Sequence, residues 1–377
     1  MSTIKVNNIE SSTGGGVAAK LASVNGGFIG TKNLVINGAM QVAQRETSSL
    51  ANGIRTVDRF AYNSVSIDGS PTQAQADVAS GTTPYSLGFR KSYKVTNGNQ
   101  TSGAQAASLQ QYSTRLEAQD IANSGWNYTD PNSKITLSFW CKSSVAQNFY
   151  GFVNSIDGTS QQYPFETGTL TADTWTKITK VISGNSNLQF DNDTNVGLII
   201  YLGTYFGTDY TDSSVTLNAW GAYGSGDART PNFTSTWYTT NDATFELTGV
   251  QLEVDNVATD FEFRSLAEEL QLCKRYFQVA GGTHWGATEG TTNYRLQVPL
   301  EPEMRVAPTV TVRSGHKFNT RDQTDVTITD PTKSATTAKT RNIWTSVTTT
   351  GLSAGRPIMG RSQEGDLGDY LACDAEL

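Results

Sequence analysis

The segment Ile-Thr-Leu-Ser-Phe-Trp-Cys-Lys, residues 135–142, decides the fold class of this 377-residue chain. Its apolar side chains fall at every second position: Ile135, Leu137, Phe139 and Cys141. Side chains at this spacing share one face of an extended strand, so the segment predicts a strand with one buried face. Trp140 then points to the opposite face. A sheet that buries one face needs a second layer to cover it, which favours a β-sandwich.

The wider region around this strand, residues 33–264, has the same character. Strand-like segments are separated by clusters of Gly, Asn, Asp and Ser, and helical periodicity is limited to a turn or two near residues 116–122. The segment VGLIIYL, residues 196–202, is apolar at nearly every position, which predicts a central strand covered on both faces. We therefore predict that residues 33–264 form one large antiparallel sandwich and that the chain is mostly β.

The alternation changes phase within residues 245–254. Phe245 and Leu247 occupy one phase, and the later apolar residues occupy the opposite phase: Val250, Leu252 and Val254. Gly249 lies between the two groups. Because a β-bulge inserts one extra residue into a strand, a bulge at Gly249 would return both groups to the same face.

One helix is predicted, over residues 265–278. Its apolar residues recur at spacings of four, three and four: Leu266, Leu270, Cys273 and Phe277. Ser265 followed three positions later by Glu268 is the pattern of a capping box, and basic residues near the end complement the helix dipole. We assign residues 265–282 to a connecting helix that packs on the sandwich or on a neighbouring subunit.

The two ends of the chain form separate segments. Residues 1–32 contain an alternating start, a glycine triplet and too few apolar residues for a core, so they are predicted to be an attachment segment, with a frayed tail as the alternative. Residues 283–377 contain short strand-like segments between Thr-rich linkers and are predicted to be a small distal β-domain. Because so small a core is marginal alone, oligomerisation would supply further burial.

Composition excludes several classes of protein. The net charge of −7 and the pI of about 5.0 argue against nucleic acid as a partner, because phosphate backbones require clustered Lys and Arg. Cys141, Cys273 and Cys373 are far apart in the sequence and favour neither disulfides nor a zinc site. No apolar run approaches the length of about 18 residues that a membrane span needs, and no secretory leader is evident, so we expect no membrane insertion and release by another route, such as lysis.

Catalytic and metal-binding motifs are also missing from the sequence. His284 and His316 lie in no zinc motif, and neither a nucleophile elbow nor a nucleotide-binding loop occurs. The alternating oxygen side chains of residues 191–195 are compatible with a calcium loop or with a polar hairpin turn. Carboxylates that could serve a glycan hydrolase cannot be paired from sequence: Glu166, Asp173, Glu246 and Glu253. We predict no catalytic residue, no metal and no cofactor.

Aromatic residues are the main candidates for ligand contact, because sugars stack on aromatic rings while amides and carboxylates bind their hydroxyls. Residues 203–238 combine such rings with Gly, Asp, Asn and Ser. The candidate glycan contacts are Tyr205, Tyr210, Trp220, Tyr223, Trp237 and Tyr238. The alternative is that these rings pack beneath the loops or against a neighbouring subunit, which is the commoner fate of large aromatic side chains.

Several stretches resemble structural and tail-fibre-like proteins of bacteriophages, especially those of marine and cyanobacterial phages. The similarity covers about the first 280 residues, in order. The segments that carry it are STIKVNNIES at 2–11, NLVINGAM at 33–40, QR at 44–45, TVDRF at 56–60, TFELTGVQLE at 244–253, ATDFE at 258–262 and EELQLCKRYF at 268–277. The family has a proline where this chain has Asp260, a difference that loosens the local turn and leaves the sandwich assignment intact.

The resemblance implies a jelly-roll sandwich similar to carbohydrate-binding modules, a virion-docking role for residues 1–32, assembly as a trimer, and no catalytic residue. The expected function is that of a phage fibre subunit in the virion, assembled in the bacterial cytoplasm, which contacts other tail or head proteins and host surface glycans. The alternatives are a head- or neck-associated ornament without a receptor role, a glycan-depolymerising tail spike, and a free secreted carbohydrate-binding module.

Overall fold

A computed structural model describes residues 23–24, 27–28, 32–224, 228–281, 284–288, 291, 293–312, 317–320, 325–327, 342–348, 353–355, 357–360 and 369–377. The chain divides into two compact units, Met1–Lys32 and Asn33–Leu377. In the first unit, the short strands β1 (Ser23–Val24) and β2 (Gly27–Phe28) pair antiparallel. The remainder of the predicted attachment segment, and with it most of that prediction, lies outside the described residues.

The strands between residues 48 and 253 form the predicted antiparallel jelly-roll β-sandwich, built from two six-stranded sheets. The first sheet has the order β13 (Gly221–Ala222), β10 (Gln161–Thr169), β9 (Asn148–Ser155), β12 (Val196–Phe206), β7 (Leu109–Glu117) and β4 (Phe60–Val65). The second sheet has the order β11 (Thr176–Ser183), β8 (Lys134–Ser143), β14 (Thr244–Glu253), β6 (Lys91–Thr96), β5 (Thr72–Asp77) and β3 (Ser48–Ser49). Short helices lie in three of the connections: α1 (Thr83–Ser86), α2 (Ala118–Ala122) and α3 (Thr236–Thr239).

The core lies between these sheets, where the alternating residues of the opening segment are placed as predicted. Ile135, Leu137, Phe139 and Cys141 are all buried, while Trp140 is half-buried among residues on the other side of its sheet. Strand β12 pairs with β9 on one side and β7 on the other, so it is central. Its neighbours Ile199 and Ile200 are both buried although they point to opposite faces, which confirms coverage on both sides.

The predicted bulge at Gly249 is confirmed. The pairing of β14 with β8 shifts register between Thr248 and Gln251, and Gly249 has a φ of 64°. A Cβ atom at this position would lie 2.7 Å from Cζ of Phe89, so the backbone conformation and the packing both require glycine.

Replacing Gly249 with alanine is expected to lower the free energy of unfolding by about 2–4 kcal/mol, because left-handed strain and overpacking add together. Urea unfolding of both proteins measures the difference. Gly168→Ala is the matched control: its φ is 73°, but a Cβ there meets no atom within 4 Å. Gly168→Ala should lower the free energy of unfolding by about 1–2 kcal/mol, from backbone strain alone. Equal losses in the two variants would contradict a packing role for Gly249.

Helix α4 (Leu266–Lys274) begins with the predicted capping box. The Ser265 hydroxyl accepts a hydrogen bond from the Glu268 amide at 3.2 Å, and the Glu268 carboxylate accepts from the Ser265 amide at 2.9 Å. The prediction was wrong about the end of the helix and its apolar face. Phe277 belongs to strand β15 (Phe277–Gly281), and Leu266 is 58% exposed. Phe277 pairs with Asp374, a partner about a hundred positions away that local periodicity does not show.

The C-terminal region contains two further antiparallel sheets. The three-stranded sheet has the order β15, β23 (Asp369–Asp374) and β18 (Thr309–Val312). The six-stranded sheet has the order β20 (Asp325–Thr327), β19 (Lys317–Thr320), β22 (Pro357–Gly360), β16 (His284–Thr288), β17 (Asn293–Pro299) and β21 (Asn342–Thr348). Strand β23 therefore pairs with the segment that follows α4, and it brings residues 374–377 back to the sandwich.

Candidate functional site

The outer face of the first sheet carries an aromatic cluster of its own. On this sheet, the side chains that alternate with the core residues point away from the sandwich interior and pack against residues of the following connection, such as Tyr210, Tyr223 and Phe233. The cluster consists of buried Leu109, Phe152 and Phe206, with Tyr201, Tyr210, Tyr223 and Phe233 packed against them. We call this surface, with the polar residues around it, the outer face.

Three rings of the outer face lie in a nearly parallel row. The Phe152 ring is 4.5 Å from the Tyr201 ring at an interplanar angle of 22°, and 6.2 Å from the Tyr223 ring at 23°. Phe152 and Tyr201 are brought together because they are paired residues on β9 and β12. Phe152 is fully buried, whereas Tyr201 and Tyr223 remain half-buried. The row therefore presents two phenol groups beside an apolar base.

The six predicted glycan contacts do not share one surface. Tyr210 and Tyr223 belong to the outer face. Trp220 packs beside the edge of the sandwich core, where its Nε1 donates a hydrogen bond to the main-chain oxygen of Ser183 at 2.7 Å. Its ring is half-buried.

The other three predicted contacts are core residues. Tyr205 stacks on Tyr238 with ring centroids 4.3 Å apart, and both side chains are buried. Trp237 is 0% exposed and is part of the main core. Because a buried ring presents no surface to a ligand, we withdraw these three residues from the set of candidate contacts. The structure instead adds Tyr201, which the sequence analysis treated only as part of a buried strand.

Polar groups with unused hydrogen-bonding capacity surround the row of rings. Gln111 on β7 and Gln162 on β10 lie on the outer face, because their neighbours Tyr112 and Tyr163 point into the core. The Gln162 amide nitrogen donates to the main-chain oxygen of Ala228 at 2.9 Å, but its Oε1 has no protein partner. The Oε1 of Gln111 and the Nε of Arg229 are likewise unpartnered. All three atoms are buried. A buried polar atom without a partner costs about 1–3 kcal/mol, which an internal water would recover.

The electrostatic field at Tyr201 comes from two arginines. Burial raises the pKa of the Tyr201 phenol, while the positive charges of Arg115 and Arg229 oppose that shift. Arg115 lies on the outer face of β7, where it pairs with Ile199 two positions from Tyr201. The Arg229 guanidinium lies 4.7 Å from the centroid of the Tyr210 ring. The raised pKa keeps the phenol protonated near neutral pH, as a hydrogen-bond donor.

A second polar cluster joins the sandwich to the C-terminal region, and we call it the junction cluster: Arg45, Asp58, Arg59, Glu117, Arg275 and Glu376. Arg45 pairs with Asp58 at 3.3 Å and with Glu376 at 3.2 Å, and Arg59 also pairs with Glu376. Arg275 pairs with Glu117 at 2.8 Å. All but Glu117 and Glu376 come from the phage-like motifs at 44–45, 56–60 and 268–277. These motif residues are therefore engaged in joining parts of the fold.

The junction cluster could not be predicted from the sequence. Its members are charged residues between strands or at the ends of strands, where the alternation of apolar and polar residues gives no information about their partners. A cleft of about 630 Å³ lies beside the cluster and is lined by Arg45, Arg55, Thr309, Thr311 and Asp374, among others. Since Arg45 is already ion-paired there, the outer face remains the better candidate for ligand binding.

Within the described part of the chain, no group of three or more His, Cys, Asp or Glu side chains is arranged to hold a metal ion. At residues 191–195, the Asp193 carboxylate accepts hydrogen bonds from the main-chain and side-chain nitrogens of Asn195, at 2.9 and 2.6 Å. Among the described helices, none has the length and apolar character needed to cross a bilayer.

The fold and the outer face define a class of protein: an antiparallel jelly-roll sandwich with a half-open aromatic and amide surface. No protein-family profile and no curated protein matches the chain. Among solved structures, it is similar to the enzymatically active domain of tailspike protein 4 of bacteriophage CBA120, with 10% identity, a TM-score of 0.33, and coverage of 59% of this chain and 21% of that chain. The chain thus spans about a fifth of that tailspike domain.

Two other solved structures are similar at the same low level. The tripod from the baseplate of bacteriophage Tuc2009 shows 11% identity and a TM-score of 0.27, over 71% of this chain and 83% of that chain. A family 11 carbohydrate-binding module from Clostridium thermocellum, in complex with a β-1,3-1,4-mixed-linked tetrasaccharide, shows 10% identity and a TM-score of 0.26, over 56% and 98%. Similarities of this size transfer no ligand, activity or partner.

Proposed function

We propose that this protein is a non-enzymatic structural component of a bacteriophage particle, a trimeric fibre subunit that binds host surface glycans through the outer face. The observation that carries the binding role is the row in which half-buried Tyr201 and Tyr223 lie beside buried Phe152 on one sheet face. Rings that stack on sugar C–H faces and amides that bind hydroxyls are the two groups that carbohydrate recognition requires.

The place in a phage particle is supported by the resemblance of about the first 280 residues to structural and tail-fibre-like proteins of phages, including those of marine and cyanobacterial phages. In this proposal, residues 1–32 dock on other virion proteins and the sandwich faces the host cell. Trimerisation makes a weak site useful, because once one copy has bound, the other copies bind the same cell surface as effectively intramolecular events.

A binding role is favoured over a catalytic one by the partners of two of the four candidate carboxylates. Glu246 pairs with Lys142 at 2.9 Å and accepts from the Ser92 hydroxyl at 2.9 Å. Glu253 accepts hydrogen bonds from the backbone and hydroxyl of Thr259 at 2.9 and 2.6 Å. Both are buried and held by the fold, so neither is placed to act as the acid or nucleophile of a glycan hydrolase.

Replacing Tyr223 with alanine is expected to weaken binding of the protein to host cells by about tenfold, equivalent to about 1.4 kcal/mol, because a stacking ring is removed. Fluorescently labelled protein titrated onto intact cells measures the change. Tyr85→Ala is the matched control: Tyr85 is also half-buried, but its ring packs on the opposite side of the sandwich under Arg90. It should bind as the unmodified protein does.

Several outcomes would contradict the proposal. Equal losses of cell binding in the Tyr223 and Tyr85 variants would show that the outer face is not the binding site. An unmodified protein that does not bind host cells would contradict the adhesive role. A mass of 40.7 kDa in light scattering, that of one chain, would contradict the trimer. Release of reducing sugar ends from host polysaccharide would show that the protein is an enzyme.

A further inference from the structure

Tryptophan and lysine side chains alternate on the outer side of the second sheet, where strand β11 forms its edge. Lys177 of β11 is paired with Trp140 of β8, and both point away from the core. On the same side, the Lys142 ammonium lies 5.3 Å from the centroid of the Trp175 ring. Lys177 is exposed, and the other three side chains are half-buried. We name these four side chains the basic face.

The basic face keeps polar groups that the chain itself does not use. Lys142 pairs with Glu246 at 2.9 Å. Among the described residues, Lys177 pairs with no acidic side chain, and neither indole N–H of the basic face has a hydrogen-bond acceptor. Tryptophan rings that are partly buried and keep a polar group open to solvent are enriched at contacts between proteins. The basic face therefore has the composition of a protein-binding surface.

A group of carboxylates lies beyond the opposite end of β11, at the connection to β12. The Asp191 amide donates a hydrogen bond to the Asp157 carboxylate at 3.0 Å. Burial raises the pKa of Asp157, and the negative charges of Asp191 and Asp193 also act to raise it. Within the described residues, no lysine or arginine pairs with these carboxylates, and the neighbouring Ile156 is 39% exposed. We name Ile156 and the three aspartates the acidic corner.

We infer that the basic face of one copy binds the acidic corner of the next copy in the trimer. This inference rests on the trimer of the proposed function and specifies the contact that holds it together. The two surfaces cannot meet within one chain, because β11 separates them by about 20 Å along its length. A contact between two different surfaces is heterologous, and heterologous contacts close into a ring when the rotation between neighbours allows it.

The chemistry of the two surfaces is complementary. Lysine ammonium groups and indole N–H groups only donate hydrogen bonds, and ionised carboxylates only accept them. The half-buried tryptophan rings offer apolar area to Ile156. Opposite charges on the two surfaces favour the correct contact, and two copies of the same surface repel each other. A chain with a net charge of −7 thus carries a basic surface that its own acidic corner fits.

The test measures the mass of the full-length protein in solution by light scattering, at low micromolar concentration. The unmodified protein is expected to be a trimer. Lys177→Glu and Asp191→Lys should each weaken assembly by about tenfold or more, because like charges then face each other. The double variant, in which the two charges are exchanged, should again form a trimer. Assembly of the unmodified protein should also weaken as sodium chloride is raised, because salt screens the charges.

Control variants separate the contact from a general effect of charge or of folding. Arg55→Glu makes the same change of charge as Lys177→Glu at an exposed residue near β3, which lies at the opposite edge of the second sheet, and it should remain a trimer. Far-ultraviolet circular dichroism checks that each variant is folded. Lys177→Gln and Asp191→Asn remove a charge without reversing it, and each should weaken assembly less than the corresponding reversal.

The remaining outcomes separate this inference from the function on which it rests. Trimers in all variants would overturn the inferred contact and leave the trimer intact. Loss of the trimer in both single variants without recovery in the double variant would also overturn it. If Lys177→Glu stays trimeric but binds host cells less tightly, the basic face contacts the host and the inference is wrong. A monomeric unmodified protein would contradict both the inference and the trimer.

Discussion

Replacing Trp237 with alanine is expected to lower the free energy of unfolding by about 3–5 kcal/mol, the range for removal of a large buried aromatic side chain. Trp237 is 0% exposed and lies in the main core. Its indole Nε1 donates a hydrogen bond to the main-chain oxygen of Thr244 at 3.0 Å, at the start of β14. The alanine variant therefore leaves a cavity and removes one of the hydrogen bonds to that oxygen, which also accepts from the Ser144 amide at 3.0 Å.

Chemical denaturation followed by far-ultraviolet circular dichroism measures this loss. Trp220→Ala is the matched control, because Trp220 is the same residue type in the same long connection but is only half-buried. The Trp220 variant should lose clearly less unfolding free energy than the Trp237 variant. A Trp237 variant with unchanged stability and impaired cell binding would show that the ring contacts ligand, as the sequence alone had suggested, and would contradict its place in the core.

Replacing Glu117 with glutamine is expected to lower the free energy of unfolding by about 3–5 kcal/mol, because one partner of a buried ion pair is removed and the other stays. The Glu117 carboxylate is buried and accepts hydrogen bonds from Nε and Nη2 of Arg275, at 2.8 and 2.9 Å, and from the Tyr276 hydroxyl at 2.6 Å. Glutamine presents an NH₂ group where an acceptor is needed. The junction between the sandwich and the C-terminal region should loosen.

The effect should depend on pH. Burial raises the pKa of Glu117, but hydrogen bonds from Arg275 and Tyr276 outweigh it, so the net shift is below the usual value of 4.5. A carboxyl with a lowered pKa stabilises the fold above its unfolded-state pKa, and this contribution is lost as the pH falls through the folded-state value. The difference between the parent protein and Glu117→Gln should therefore be full near neutral pH and shrink below about pH 4.5.

The difference in unfolding free energy between the parent protein and Glu117→Gln, measured as a function of pH, is more informative than the pH dependence of the parent protein alone. Burial raises the pKa values of Asp58 and Glu269, which gives the parent protein an opposing pH dependence. These contributions cancel when the variant is subtracted. Glu268→Gln is the control, because glutamine can also complete the capping box at an exposed site. A Glu117 effect that does not vary with pH would contradict the charge-based explanation.

The local patterns of the sequence predicted much of the fold. Alternation at residues 135–142 and the continuous apolar run at 196–202 placed two strands on the correct faces. The change of phase at Gly249 predicted a bulge, and Ser265 with Glu268 predicted the helix start. All of these features depend on residues that are close in sequence or on which face of a strand meets solvent. A single segment of the sequence is therefore enough to predict each of them.

The candidate site could be predicted only in part, because ring burial depends on distant residues. Tyr210 and Tyr223 lie on the outer face. The other rings are buried: Tyr205 stacks on Tyr238, and Trp237 donates a hydrogen bond to the start of β14. The sequence showed that the loop is rich in aromatic residues, and it did not show which rings the loop folds over. Tyr201 was missed because an apolar run predicts burial for every member.

By itself, the sequence determined the strands, their buried faces, the bulge and the helix cap, since the spacing of apolar and glycine residues is a local property. Only the tertiary structure decided which arginines are paired and which are not. Arg59 pairs with Glu376 from the far end of the chain, whereas the charges of Arg115 and Arg229 both act on the phenol of Tyr201. Such pairings join residues that are far apart in sequence, so the long-range folding of the backbone creates them and no local pattern contains them.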